Sequence, residues 1–145
     1  MGAVMHFQRT LNRFSRENVP GYLAVFIGGF GDMFAGCLSR VEKGFPGFLP
    51  GVAYATAYYH WDGGGCGVFF DRCGKIAVEL EELRRRYPGL PVVLIGHSYG
   101  GSCAVEVARR QSVQAAPLCP LTVDAVARRQ KSVRPACVEW WGNAY

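Results

Sequence analysis

Apolar residues along the chain fall into two kinds of segment that take turns. The first kind is a short, continuous apolar run closed by glycine or aspartate. Tyr22 to Ile27 (Tyr-Leu-Ala-Val-Phe-Ile) runs into Gly28-Gly29, Pro91 to Ile95 runs into Gly96, and Leu118 to Val123 ends at Asp124. Runs of this length with no polar face predict strands buried on both sides. Ala53 to Trp61, rich in tyrosine and alanine and closed by Gly63-Gly64-Gly65, predicts another strand, and Val138 to Tyr145 one more. The second kind has helical spacing. From Asp71 to Tyr87, the residues Ile76, Leu80, Leu83 and Tyr87 share one face and the charges take the other, until Pro88-Gly89 stops the helix. After Ser98 a helix is expected to about Gln111, with Cys103, Ala104, Val107 and Ala108 inward. Asp32 is placed to cap a helix carrying Met33, Cys37 and Val41 on one face, ended by Gly44-Phe45-Pro46-Gly47 and Pro50-Gly51.

Strand and helix in alternation predict an α/β fold: a mostly parallel sheet flanked by helices, joined by right-handed crossovers. Ligands of such sheets bind beyond the carboxyl ends of the strands. Gly28-Gly29, Ser98 and Asp124 each follow a strand directly and are expected along one edge of the sheet. A length of 145 residues suits one domain, read as residues 21–145 after an N-terminal segment 1–20.

Composition narrows the picture. Half the residues are hydrophobic, 19% are charged, and the net charge is +5. The basic residues are scattered as Arg84-Arg85-Arg86, Arg109-Arg110, Arg128-Arg129 and Lys131, each near an expected helix end, where solvent and the helix dipole favour them. No zinc-finger spacing or basic aromatic sheet points to nucleic acid. The six cysteines form no C-x-x-C pair, so no structural metal is expected. Cys103 and Cys119 read as small core residues, and a Cys66–Cys73 bridge would suit an exported chain. The N-terminus lacks an apolar core of signal-peptide length and no run is long enough to span a membrane, so a reduced, cytoplasmic setting is expected.

The chemistry centres on Gly96-His97-Ser98-Tyr99-Gly100-Gly101. A serine between a strand and a helix, with glycine two residues to either side, matches the nucleophile elbow, in which a sharp turn presents the hydroxyl above the sheet. A serine hydroxyl is a weak nucleophile. It needs a base, an acid to orient that base, and donors for the oxyanion that develops on the substrate. The backbone N–H of Tyr99 is expected to supply one donor. The second is assigned to the N–H of Phe30, in the turn Gly28-Gly29-Phe30-Gly31-Asp32. Asp124 stands where the acid belongs, with Asp62 and Asp71 as weaker candidates because both precede the serine. Phe30, Phe34, Tyr58, Tyr59 and Tyr99 are available to line an apolar acyl pocket, although such residues more often build core.

From Tyr22 to Tyr145 the chain resembles the α/β-hydrolases, and within them bacterial lipase- and esterase-like members. The resemblance rests on Val25-Phe26-Ile27-Gly28-Gly29-Phe30-Gly31, the elbow, Leu121-Thr122-Val123-Asp124 and Trp141-Gly142-Asn143-Ala144-Tyr145. It implies a serine hydrolase acting on small-molecule or lipid carboxylic esters, with no cofactor. A thioesterase or acyltransferase would use the same residues. The family order is Ser, then Asp or Glu, then His. None of the three histidines, His6, His60 and His97, follows Asp124. His97 adjoins the serine on a sharp turn and is expected to pack beneath it. His60 ends the tyrosine-rich strand, which in the family's strand order does not neighbour the serine's strand. The chain therefore reads either as a shortened form that stops before the last strand, histidine loop and helix, or as a relative that has lost its base and serves as a binding domain. In both cases residues 1–145 alone are expected to turn over esters slowly or not at all.

Overall fold

The computed structural model describes residues 18–29, 32–60, 72–112, 117–123, 138 and 142–144. In chain order these form β1 (Tyr22–Gly28), α1 (Asp32–Ala35), α2 (Cys37–Lys43), β2 (Tyr54–His60), α3 (Arg72–Arg86), β3 (Val92–His97), α4 (Tyr99–Arg109), β4 (Leu118–Val123) and β5 (Gly142–Ala144). The strands make one parallel sheet in the order β2-β1-β3-β4-β5. The apolar runs thus became strands within a residue or two of their expected ends. The exception is the last run, in which only Gly142–Ala144 is strand among the described residues and Val138 is buried outside it.

The sheet order fixes where a ligand can sit. β1 leads outward to β2, whereas β3 leads to β4 on the opposite side, so the direction of winding reverses between β1 and β3. Right-handed crossovers then require their helices to lie on opposite faces. They do: α2 packs against Tyr22, Ala24, Phe26 and Ile95, whereas α3 and α4 share the larger core with Leu23, Val25, Ile27, Val92 and Leu94. Ligands of such sheets bind beyond the carboxyl ends of the strands at this point of reversal, here β1 and β3. At the opposite end of these strands, Tyr22, Phe45, Phe48 and Tyr54 form an aromatic cluster, pinned by a hydrogen bond from the Phe48 N–H to the Tyr22 hydroxyl at 2.6 Å.

Two helical expectations are corrected. The helix after β1 is not continuous, because Gly36 takes a left-handed conformation (φ 58°) between α1 and α2. The bend rotates α2 so that Leu38 faces the sheet, while Cys37 is exposed and Val41 is 53% exposed. On α3, Ile76, Leu80, Leu83 and Tyr87 are buried as the spacing requires, but Arg84 is buried too, at 1% exposure, instead of lying in solvent. Arg84 borders the Leu80–Leu83 stripe, and its Nη1 donates to Gln111 Oε1 at 3.4 Å. Gln111 Nε2 in turn donates to the carbonyls of Ala77 and Val107, at 3.0 and 3.2 Å, tying the end of α4 to α3. Cys73 and Cys103 are buried thiols, and Cys119 is half-buried. Cys66 lies outside the described residues. Among those residues no helix is long and apolar enough to cross a membrane.

Candidate active site

Ser98 occupies the single residue between β3 and α4, with φ 55° and ψ −125°. Among the described residues it is the only non-glycine with positive φ. Its ψ is also far from the value of about +30 to +60° of the left-handed helical well. A side chain held in such a conformation costs roughly 1–3 kcal/mol and persists only where its surroundings enforce it.

The enforcing contacts are visible. The Ser98 N–H donates across to the Val123 carbonyl of β4 at 3.0 Å, and the Ser98 carbonyl accepts from the Gly101 N–H at 3.0 Å. The turn is too tight for side chains at its flanks. A Cβ on Gly96 would run into the Gly100 carbonyl, and one on Gly100 into the Ile27 carbonyl of β1. The glycine spacing expected of an elbow is therefore dictated by backbone contact between α4, β3 and β1.

Ser98 also touches the turn after β1. In the β1–β3 register Ile27 pairs with Gly96, which carries Gly29 alongside Ser98. A Cβ on Gly29 would lie 2.7 Å from the His97 carbonyl, 3.0 Å from Ser98 Cβ and 3.1 Å from the Tyr99 nitrogen. The glycine turn and the elbow are thus in van der Waals contact, as their common position at strand ends predicts. The Tyr99 nitrogen opens α4, where N–H groups point out of the helix and carry its positive end. The Ser98 N–H is committed to Val123, so Tyr99 carries the first amide of the turn after it. Phe30, the second expected donor, lies outside the described residues.

Asp124, Asp62 and Asp71 also lie outside them. The chain enters Asp124 from Val123, which pairs with His97. His97 is half-buried at the end of β3, on the same face of that strand as Val93 and Ile95. His60 pairs with Gly28, and β2 reaches β3 only across β1. It is therefore about two strand spacings, roughly 10 Å, from the serine's strand, as expected. His6 is outside the described residues.

Of the aromatic residues, Tyr59 is core. It packs under α3 in the larger cluster, and its hydroxyl donates to Glu79 Oε2 at 2.8 Å. Burial and the Glu79 carboxylate push the Tyr59 phenol far above its ordinary range. Tyr99 is half-buried against the same core. Tyr58 lies on the other face, and its hydroxyl donates to Asp32 Oδ2. Phe30 and the Phe34 side chain lie outside the described residues.

Asp32 is the residue that the sequence undervalued. It is buried, at 5% exposure, and it caps the helix beyond its own: Oδ1 accepts the Leu38 N–H of α2 at 2.5 Å. Its own N–H donates to the Gly29 carbonyl at 3.1 Å. The signal was present in Gly36, which stands at the N-cap of α2 and offers no side chain to cap it. Burial, together with the hydrogen bond to Asp32 and the charge of its carboxylate, raises the Tyr58 phenol above its ordinary range and keeps it a neutral donor.

A comparison with models of known protein families gives no match for this chain, and neither does a comparison with curated proteins.

Proposed function

We propose that the chain is a serine hydrolase domain for carboxylic esters, with Ser98 as its nucleophile. The observation that carries this reading is the φ of 55° at Ser98, imposed on a serine at the carboxyl edge of a parallel sheet, at the point where the winding reverses. A plain strand-to-helix turn has no need of that strain. Ser98 Oγ attacks the ester carbonyl carbon, and its proton passes to a base. The oxyanion sits at the Tyr99 N–H, at the positive end of α4, and at the Phe30 N–H. Collapse of the tetrahedral adduct expels the alcohol and leaves an acyl-serine, which water then hydrolyses. Asp124 orients the base. No histidine follows Asp124 in these 145 residues. Small-molecule and lipid esters both suit the reading, and a thioesterase or acyltransferase would share its first half.

The test supplies the missing base. The chain is incubated with p-nitrophenyl butyrate and increasing imidazole, and the acylated peptide is located by mass spectrometry. Acylation is expected at Ser98, at a rate that rises with imidazole, and Ser98→Ala is expected to lose it. Acyl groups spread over surface lysines, at rates that Ser98→Ala leaves unchanged, would refute the serine reading. That result would favour the second reading, a binding domain on the same fold.

A further inference from the structure

We propose that the amino edge of the sheet docks onto an anionic lipid membrane, through the apolar loop after α2 and the basic ends of the helices around it. In a parallel sheet each crossover helix returns the chain to the amino ends of the strands. Helices α2, α3 and α4 therefore all end at this edge, opposite to Ser98. Their last turns carry Arg40 and Lys43, Arg84 to Arg86, and Arg109. Arg84 is buried and Arg109 lies beside Glu106, at 3.7 Å. Arg40, Lys43, Arg85 and Arg86 are exposed. On α2 the one carboxylate, Glu42, is turned inward, where it accepts from the Thr56 hydroxyl of β2. On α3 the exposed Glu82 lies one turn back from the end. The outermost charges of this edge are therefore cations. Helix dipoles favour cations at such ends, but they do nothing to hold apolar side chains in water beside them.

The loop from α2 to β2, residues 44–53, lies at the same edge and carries no charge. Phe48, Leu49 and Val52 are exposed in it, Leu49 at 58%, with Tyr54 and Val19 next to them. Val19 belongs to this patch because Gly21 lies against Val52 and donates to the Ala53 carbonyl at 2.7 Å. The loop is built to display these residues. Gly47 and Gly51 take left-handed conformations (φ 87° and 75°) on either side of Phe48-Leu49-Pro50. The Val52 N–H closes the turn on the Leu49 carbonyl at 3.3 Å, and the Phe48 N–H is held by the Tyr22 hydroxyl. The Phe45 ring stands edge-on to both Phe48 and Tyr54, so the base of the loop is packed while Leu49 is held outward. An apolar, aromatic tip flanked by cations suits the membrane interface: the apolar groups enter between the headgroups, and the cations meet the anionic ones. A nucleic acid would use the cations and leave Leu49 in water. A bilayer takes up both.

The full chain is sedimented with vesicles of phosphatidylcholine alone and of phosphatidylcholine with about 30% phosphatidylserine. Binding is expected with phosphatidylserine only, and is expected to weaken about 10-fold between about 0.1 and 0.5 M salt, as screening shortens the reach of the charges. Leu49→Ser is expected to raise the half-saturating lipid concentration about 5-fold, through the apolar area no longer buried. Lys43→Gln is expected to raise it about 5-fold, through one lost charge. Val78→Ser, at a more exposed valine in the middle of α3, is expected to leave it unchanged. Anionic binding that Leu49→Ser does not weaken would be the adsorption of a basic protein and would overturn the docking role of the loop. Equal binding to both kinds of vesicle, or none by the parent chain, would overturn it too. A parent chain that is dimeric in sedimentation equilibrium and monomeric as Leu49→Ser would overturn it in favour of a second copy on the same patch. None of these outcomes bears on the serine reading, because acylation at Ser98 is measured without lipid.

Discussion

At the scale of single residues, strain and close approach carry the site. Ser98 keeps an unfavourable backbone conformation because Val123, Gly101 and the glycines around it leave no other path from β3 into α4. That strain should be measurable. Glycine accommodates positive φ without a Cβ clash, at an unfolded-state cost of about 0.5–1 kcal/mol, against a strain of roughly 1–3 kcal/mol. Ser98→Gly is therefore expected to unfold at a higher urea concentration than Ser98→Ala, by about 1 kcal/mol. A Ser98→Gly variant that unfolds at a lower urea concentration than Ser98→Ala would mean that the turn is relaxed and that its conformation implies no function. The strand-to-helix turn at Ser98 was legible from sequence because an apolar run, glycines and a helical pattern meet there, although one of the contacts that demands glycine, Gly100 against Ile27, reaches across to β1. Asp32 was not, because its partners Tyr58 and Leu38 come from elements whose approach only the fold defines. Arg84 was misread for the same reason: the amide that receives it is Gln111, beyond the end of α4.

At the scale of elements, strands were easier to read than helices. A buried parallel strand announces itself by an unbroken apolar run. Whether a helix bends at Gly36, and which side it then shows to the sheet, depends on the contact Leu38 makes with Phe26 and Ile95 in the smaller cluster. Helix α3 also carries a pH dependence. Burial raises the Glu79 carboxyl above its ordinary range and the charge of Glu82 adds to this, while the Tyr59 hydrogen bond and Lys75 pull it back. A carboxyl whose folded pKa lies above its unfolded one binds protons more tightly in the native state, so stability falls as pH rises from the unfolded pKa, about 4.3, through the folded one. Glu79→Gln keeps an acceptor for the Tyr59 hydroxyl and removes the charge. It is expected to be more stable than the parent at pH 7, with the difference disappearing below about pH 4 in urea midpoints taken at both values. A parent chain that instead gains stability relative to Glu79→Gln between pH 4 and 7 would show that the Tyr59 and Lys75 interactions outweigh burial.

At the scale of the whole molecule, the two faces of the sheet are coupled to the site unequally. The larger core, under α3 and α4, contains more buried residues than the smaller cluster under α2. The smaller cluster contains Leu38, and the Leu38 N–H is bound by the same Asp32 carboxylate that backs onto Gly28. A cavity at Leu80, fully buried in α3, should therefore cost stability without reaching Ser98, whereas a cavity at Leu38 should loosen α2 and the turn together. Truncating a buried leucine costs about 2–5 kcal/mol, and a domain of this kind has roughly 5–15 kcal/mol to lose, so both variants should remain folded at 25 °C. Leu80→Ala is expected to lose about 3 kcal/mol in urea unfolding with the imidazole-dependent acylation rate of Ser98 unchanged. Leu38→Ala is expected to lose less, about 2 kcal/mol because its side is less deeply packed, yet to slow acylation several-fold. If the acylation losses instead follow the stability losses, with Leu80→Ala the slower of the two, the site depends on the rigidity of the sheet as a whole and not on the α2 side that Asp32 connects to it.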